Sequence, residues 1–309
     1  MLCQQTEEVE NIWQNDRLTD KKSGKIKISS LIFLDFMLIY NTNGGFLMTM
    51  VVLTALGVGG ATLIGAVLGF IFKNLTHKFN DIVLSFAAGV MLAASVIGLI
   101  LPSIDHAGER VVSWGLNANW GIVITIIGIF CGALCVNFID KIVPHLHNLA
   151  GTNEEKHPEM QSQMNKTLLF VIAIGIHNLP EGLAAGVGFG TDNVEQALVV
   201  ASGIALQNVP EGMVIIAPMI GIGMSKRKTL LIAAATGFVE VVGTLLGYFA
   251  VTLTTAVLPF ALAFAGGTML YVISDEMLLE THAHGSERAA TYALLVGFCL
   301  MLIFDTLLG

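Results

Sequence analysis

Charge is scarce in this sequence. Only 12% of its 309 residues are Asp, Glu, Lys or Arg, against 54% hydrophobic and a mean hydropathy of +0.76, a balance that a water-soluble globular chain does not strike. Basic residues are outnumbered 15 to 23 by acidic ones, so there is no footprint for nucleic acid. Four cysteines, Cys3, Cys131, Cys135 and Cys299, are too few for a disulfide framework, and three of them lie inside apolar runs. Cys131 and Cys135 share a helix face, yet neither has a histidine or carboxylate within one turn, so both read as packing residues. No His-Glu-x-x-His stretch occurs, which removes the helix a membrane metalloprotease needs. The chain is not expected to be an enzyme.

What is abundant is uninterrupted apolar sequence. Runs of the roughly 20 residues needed to cross a bilayer core fall at 49–72, 82–101, 120–142, 166–189, 196–220, 229–250, 257–276 and 289–308. Backbone groups in lipid must be satisfied within their own segment, so each run is expected to be a helix. The fold class is therefore all-α: a polytopic membrane bundle of eight core helices, residues 49–309, with lipid as its solvent.

Alternate loops carry Lys73 and Lys78; Lys141, Lys156 and Lys166; Lys226, Arg227 and Lys228; and Arg288, whereas the opposite loops hold Arg110 alone. The positive-inside rule places the basic set in the cytoplasm and both ends of the core outside. Residues 1–48 form an N-terminal extension, polar and then briefly apolar from Leu31 to Tyr40 around Asp35; it reads equally well as an extra membrane helix or as a signal-like segment. Two expected cytoplasmic loops are rich in histidine. One runs from Pro144 to Asn165 with His145, His147 and His157, and the other holds His282 and His284. Such spacing can hold a metal loosely, or simply be solvated.

The chemistry concentrates in a repeat. His177-Asn178-Leu179-Pro180-Glu181-Gly182 recurs 30 residues later as Gln207-Asn208-Val209-Pro210-Glu211-Gly212, each copy near the middle of an apolar run. An ionisable side chain at that depth costs at least about 2.5 kcal/mol, which marks it as functional. Proline lacks an N–H and clashes with the carbonyl four residues back, so Pro180 and Pro210 are expected to break their helices and free the carbonyls of Ile176 and Leu206. At about 100° per residue, Glu181 stands about 40° from His177 and about 60° from Asn178, angularly between them, and Glu211 stands likewise between Gln207 and Asn208. Glu240, the only charge in the sixth run, 229–250, adds a third carboxylate at mid-membrane. One imidazole among carboxylate and amide oxygens suits Zn²⁺ and its first-row neighbours better than Mg²⁺ or Ca²⁺. A hydrogen-bonded network without any ligand is the bland alternative. Stripes of small residues, Gly182, Gly186 and Gly190 in one run and Gly57, Ala61, Gly65 and Gly69 in another, offer close helix packing.

These two Pro-Glu-Gly motifs in consecutive spans resemble the ZIP family of metal transporters, in its bacterial branch, over about residues 49–309. The resemblance implies a homodimer of eight-helix protomers in the bacterial inner membrane, carrying Zn²⁺ as transported substrate into the cytoplasm, with Fe²⁺, Mn²⁺ or Cd²⁺ as further substrates. Carried over, the family's first metal position is His177, Glu181, Gln207 and Glu211, and its second is Asn178, Glu181, Asn208, Glu211 and Glu240. Some members have aspartate where Asn208 stands, and some add a thioether where this chain has Leu99 and Leu101; with Asn208 neutral, a single ion is expected. The family also implies a four-helix unit moving against a scaffold. A cation/Ca²⁺ exchanger is the nearest alternative, since it too places Asn, Pro and Glu in membrane helices, but its all-oxygen site has no use for His177.

Overall fold

A computed structural model of the protein describes residues 45–72, 76–149, 158–191 and 193–308. Residues 1–50 and 51–309 form separate compact units. Of the first, only the opening turns of one helix are described, so the expected extra N-terminal helix lies outside the described residues.

Among the described residues every long element is helical. They are α1 (Gly45–Ile71), α2 (His77–Ser113), α3 (Gly121–Leu149), α4 (Pro158–Gly188), α5 (Val194–Gly221), α6 (Lys226–Leu253), α7 (Leu258–Thr281) and α8 (Glu287–Leu308). Seven of them, all but α4, are long and apolar enough to cross a membrane; α4 carries the first motif. Side-chain caps start three of the helices where the sequence changes from polar to apolar. Thr76 Oγ1 accepts from the Phe79 N–H, Asn193 Oδ1 from Gln196 and Ser225 Oγ from Lys228, each satisfying a first-turn donor.

Three expectations change. Neither helix breaks at its proline, Pro180 or Pro210: a proline deletes one hydrogen bond, and the ladder carries on around it; the Pro210 helix is interrupted later, by a turn at Ile215 between Val194–Val214 and Ile216–Gly221. The wider turns lie elsewhere, as π-helical stretches at Ala94–Ile100 of α2 and Ile273–Met277 of α7. The first lets α2 run on to Ser113 past Pro102, which enters in the first turn after the π stretch, where its missing N–H is not needed. Helix also extends through 144–149 and 158–165, so the histidine-rich connection is shorter than expected; residues 150–157, and the environment of His145, His147 and His157, lie outside the described residues.

Glycines show which helices are locked together. A Cβ on Gly182 or Gly186 of α4 would run into the backbone of Glu240 or Thr244 on α6, one on Gly65 or Gly212 into the α5 or α1 backbone, and one on Gly59 into Gly237. A second set of such seams joins α2 to α8 through Gly89 and Gly297, and α3 to α7 through Gly132 and Gly267. Backbones in these seams touch directly, as small residues permit in membranes. Between the two sets the nearest contacts are of another kind: a Cβ on Gly98 would first meet the side chain of Val200, and one on Gly203 those of Met301 and Val90. Of the stripe expected on α1, Gly65 and Gly69 pack as anticipated, while Gly57 faces open space.

Candidate metal site

All seven residues singled out from the sequence are buried, none more than 7% exposed. The two motifs and α6 bring them together in two layers.

The first layer is built on Glu240. Its Oε1 accepts from Thr62 Oγ1 at 2.6 Å and from Asn178 Nδ2 at 2.5 Å, and its Oε2 accepts from Asn208 Nδ2 at 2.6 Å. Asn208 Nδ2 also reaches the Val58 carbonyl at 3.2 Å. A carboxylate only accepts, so it fixes both amides with their NH₂ groups toward Glu240. Their oxygens are thereby turned away: Asn178 Oδ1 and Asn208 Oδ1 are buried and have no hydrogen-bond partner among the described residues.

The second layer holds Glu181, Gln207, Glu211 and His177. Both carboxylate oxygens of Glu181 and both amide atoms of Gln207 are buried and make no hydrogen bond of good geometry among the described residues, although Gln207 stands close enough to Glu181 to interact with it. Glu181 lies within electrostatic reach of Glu211 and Glu240, and Glu211 within reach of His177. His177 Nε2 is 2.6 Å from Glu276 Oε1. Glu276 is not among the candidates read from the sequence; it lies with Asp275 at the end of the apolar run 257–276. The π turn at Ile273–Met277 is what carries Glu276 to His177, and two adjacent acids inside an otherwise apolar run were the available signal.

From His177 and Glu211 a cavity of about 380 Å³ extends along Asp275, Glu276 and Glu280 to Leu84. In the other direction α5 buries Val200 and Ile204 in one apolar cluster with Met91 and Leu99 of α2. Among the described residues, the cavity that reaches His177 and Glu211 runs along the C-terminal turns of α7.

Orphaned buried acceptors are costly, on the order of 1–3 kcal/mol each and more for a charged group. Carboxylate and amide oxygens of this kind, with an imidazole nearby, are the donor types that a divalent transition-metal ion takes. As they stand, no three His, Cys, Asp or Glu groups among the described residues converge tightly enough to hold an ion; the amide oxygens of Asn178, Asn208 and Gln207 are needed to complete a shell.

Comparison with known proteins gives the family. A family profile described as the ZIP zinc transporter matches residues 145–305. The chain is 38% identical over 251 residues to the zinc transporter GufA of Myxococcus xanthus, covering 81% of this chain and 96% of that one. It is 37% identical over 249 residues to the zinc transporter ZIPB of Bordetella bronchiseptica, covering 81% and 78%. With the zinc transporter ZupT of Chlorobaculum parvum it shares 36% over 253 residues, covering 79% and 92%.

Proposed function

Because the chain belongs to the ZIP zinc transporter family, we propose that it carries zinc, with Fe²⁺, Mn²⁺ or Cd²⁺ as further substrates, into the cytoplasm through the buried site on α4, α5 and α6. The exchanger alternative falls with that membership. The observation that carries the reading is the set of buried acceptors on Glu181, Gln207, Asn178 and Asn208 that make no hydrogen bond of good geometry among the described residues. A divalent ion restores what burial removed, and the Glu181 and Glu211 carboxylates neutralise it.

Direction rests on the cavity and the charges. The cavity leaves the site beside the C-terminal turns of α7 and the N-terminal half of α2, the end that carries Lys78, Lys226, Arg227, Lys228 and Arg288. Those residues mark the cytoplasmic side, so this conformation faces inward, with the Met91, Leu99, Val200 and Ile204 cluster closing the outer side. The core termini then lie outside. Backbone-tight seams within α1, α4, α5 and α6 and within α2, α3, α7 and α8, against side-chain contacts between the two sets, support movement of one four-helix group past the other. The homodimer belongs to the same reading; α3 leaves Ile126, Ile127, Phe130, Leu134 and Phe138 exposed, a face covered in a bilayer by lipid or a second copy.

Uptake of zinc into liposomes by the purified protein tests the proposal. Glu211→Ala should abolish uptake while leaving membrane insertion and monodispersity intact. Undiminished uptake by that variant would remove the site from the pathway.

A further inference from the structure

We propose that His77 and His284, oriented by the buried carboxylate of Asp81, form a second metal site, selective for first-row divalent ions that favour imidazole, where the α7–α8 connection meets the start of α2. Asp81 lies on the second turn of α2 and is only 3% exposed. Its Oδ1 is 3.0 Å from His284 Nδ1, while its Oδ2 is buried with no hydrogen-bond partner among the described residues. No lysine or arginine among the described residues is recorded against it, so the His284 ring is the polar partner that the buried carboxylate has.

The geometry sets the tautomer. Facing an acceptor-only carboxylate, His284 Nδ1 carries the hydrogen, which leaves the lone pair on Nε2 for a metal, the arrangement by which carboxylates commonly orient and strengthen metal-binding histidines. The His77 ring lies beside it, centroids 4.9 Å apart and planes 25° from parallel. Two imidazoles on one tetrahedral zinc, with Zn–N near 2.0–2.1 Å, hold their centroids about 5 Å apart, so the rings already have the right separation. They are stacked, and His77 must turn on its exposed helix-end position to aim a nitrogen at the same point; water fills the remaining positions. The neighbouring His282 is not part of the site. Its Nδ1 is 2.9 Å from the Leu278 carbonyl, where it caps α7, and its Nε2 is 3.5 Å from Thr291 Oγ1. Two protein ligands and open positions make a weak, exchangeable site, and the cavity that reaches Glu280 leads toward it. Its service as a release station rests on the proposed inward transport; its existence does not.

The test uses full-length protein, free of any polyhistidine tag, in which Glu181→Ala and Glu211→Ala disable the midplane site. Co²⁺ titration by equilibrium dialysis, read alongside visible absorption, should still find a saturable site. His284→Ala or His77→Ala should remove one equivalent, and Asp81→Asn should weaken it by about tenfold or more, with elution profiles unchanged. His77 is exposed, so its variant keeps the test decisive if Asp81→Asn fails to fold. Binding that is absent in the midplane-disabled protein, or indifferent to both histidine substitutions, would overturn the proposal. Because the midplane site is already disabled, either outcome is separate from whether that site transports zinc.

Discussion

Asn208→Asp probes how the site limits its charge. In the wild type, Asn208 Nδ2 donates to Glu240 Oε2 at 2.6 Å and to the Val58 carbonyl at 3.2 Å. Aspartate has no hydrogen to give, so each contact becomes oxygen against oxygen. Two carboxylates with charge centres about 4 Å apart repel by about 4 kcal/mol at an effective dielectric near 20. The stranded carbonyl adds roughly 1–3 kcal/mol. The metal-free variant should therefore unfold at lower temperature than wild type. A divalent ion reverses the sign of the dominant interaction, so zinc should stabilise Asn208→Asp by more than it stabilises wild type. Stoichiometry follows from the same geometry. Both Glu240 oxygens in the wild type are engaged by Thr62, Asn178 and Asn208, which leaves Glu181 and Glu211 to neutralise one ion; the variant should hold a second. Melting curves with and without zinc, and equilibrium dialysis at matched free zinc, read both effects. Two tightly bound midplane ions per wild-type protomer, or a metal-free variant as stable as its parent, would refute this account.

Other outcomes follow from the packing. The Val200 Cβ lies 3.5 Å from where a Cβ on Gly98 would stand, within the span of a disulfide, so Gly98→Cys with Val200→Cys should arrest zinc uptake on mild oxidation and recover on reduction if the two helix groups move; Gly188→Cys with Ala197→Cys, 3.4 Å apart within one group, should not arrest it. Gly186→Ala drives a methyl into the Thr244 carbonyl and should cost about 1–3 kcal/mol or more in unfolding experiments, whereas Gly57→Ala, with nothing within 4 Å, should be neutral or stabilise by up to about 1 kcal/mol. In a cysteine-free background, Ser113→Cys should react with an impermeant thiol reagent in intact cells and Ser225→Cys should resist it; the reverse pattern would invert the proposed orientation.

The sequence by itself determined the architecture and the chemistry at its centre. Lipid leaves the backbone no partner outside its own helix, so eight apolar runs could become little else, and ionisable groups repeated at mid-run are too costly to be incidental. It could not show that His177 faces Glu276, that Thr62 and two amides hold Glu240, or that His284 reaches Asp81; the pairs His177–Glu276, Thr62–Glu240 and His284–Asp81 are separated by 99, 178 and 203 positions. Those pairings depend on which helices lie side by side and how each is rotated. Helical periodicity gives the angle between neighbours on one helix but not the direction that a face points. The prolines misled for a related reason: a lost hydrogen bond is a local fact, whereas whether the helix breaks or carries on depends on the neighbours packed around it. The tertiary structure alone decided that the amide hydrogens turn to Glu240, with the Val58 carbonyl also taking one from Asn208, leaving the amide oxygens without partners among the described residues, because the acceptors packed against these amides fix which end of each turns inward.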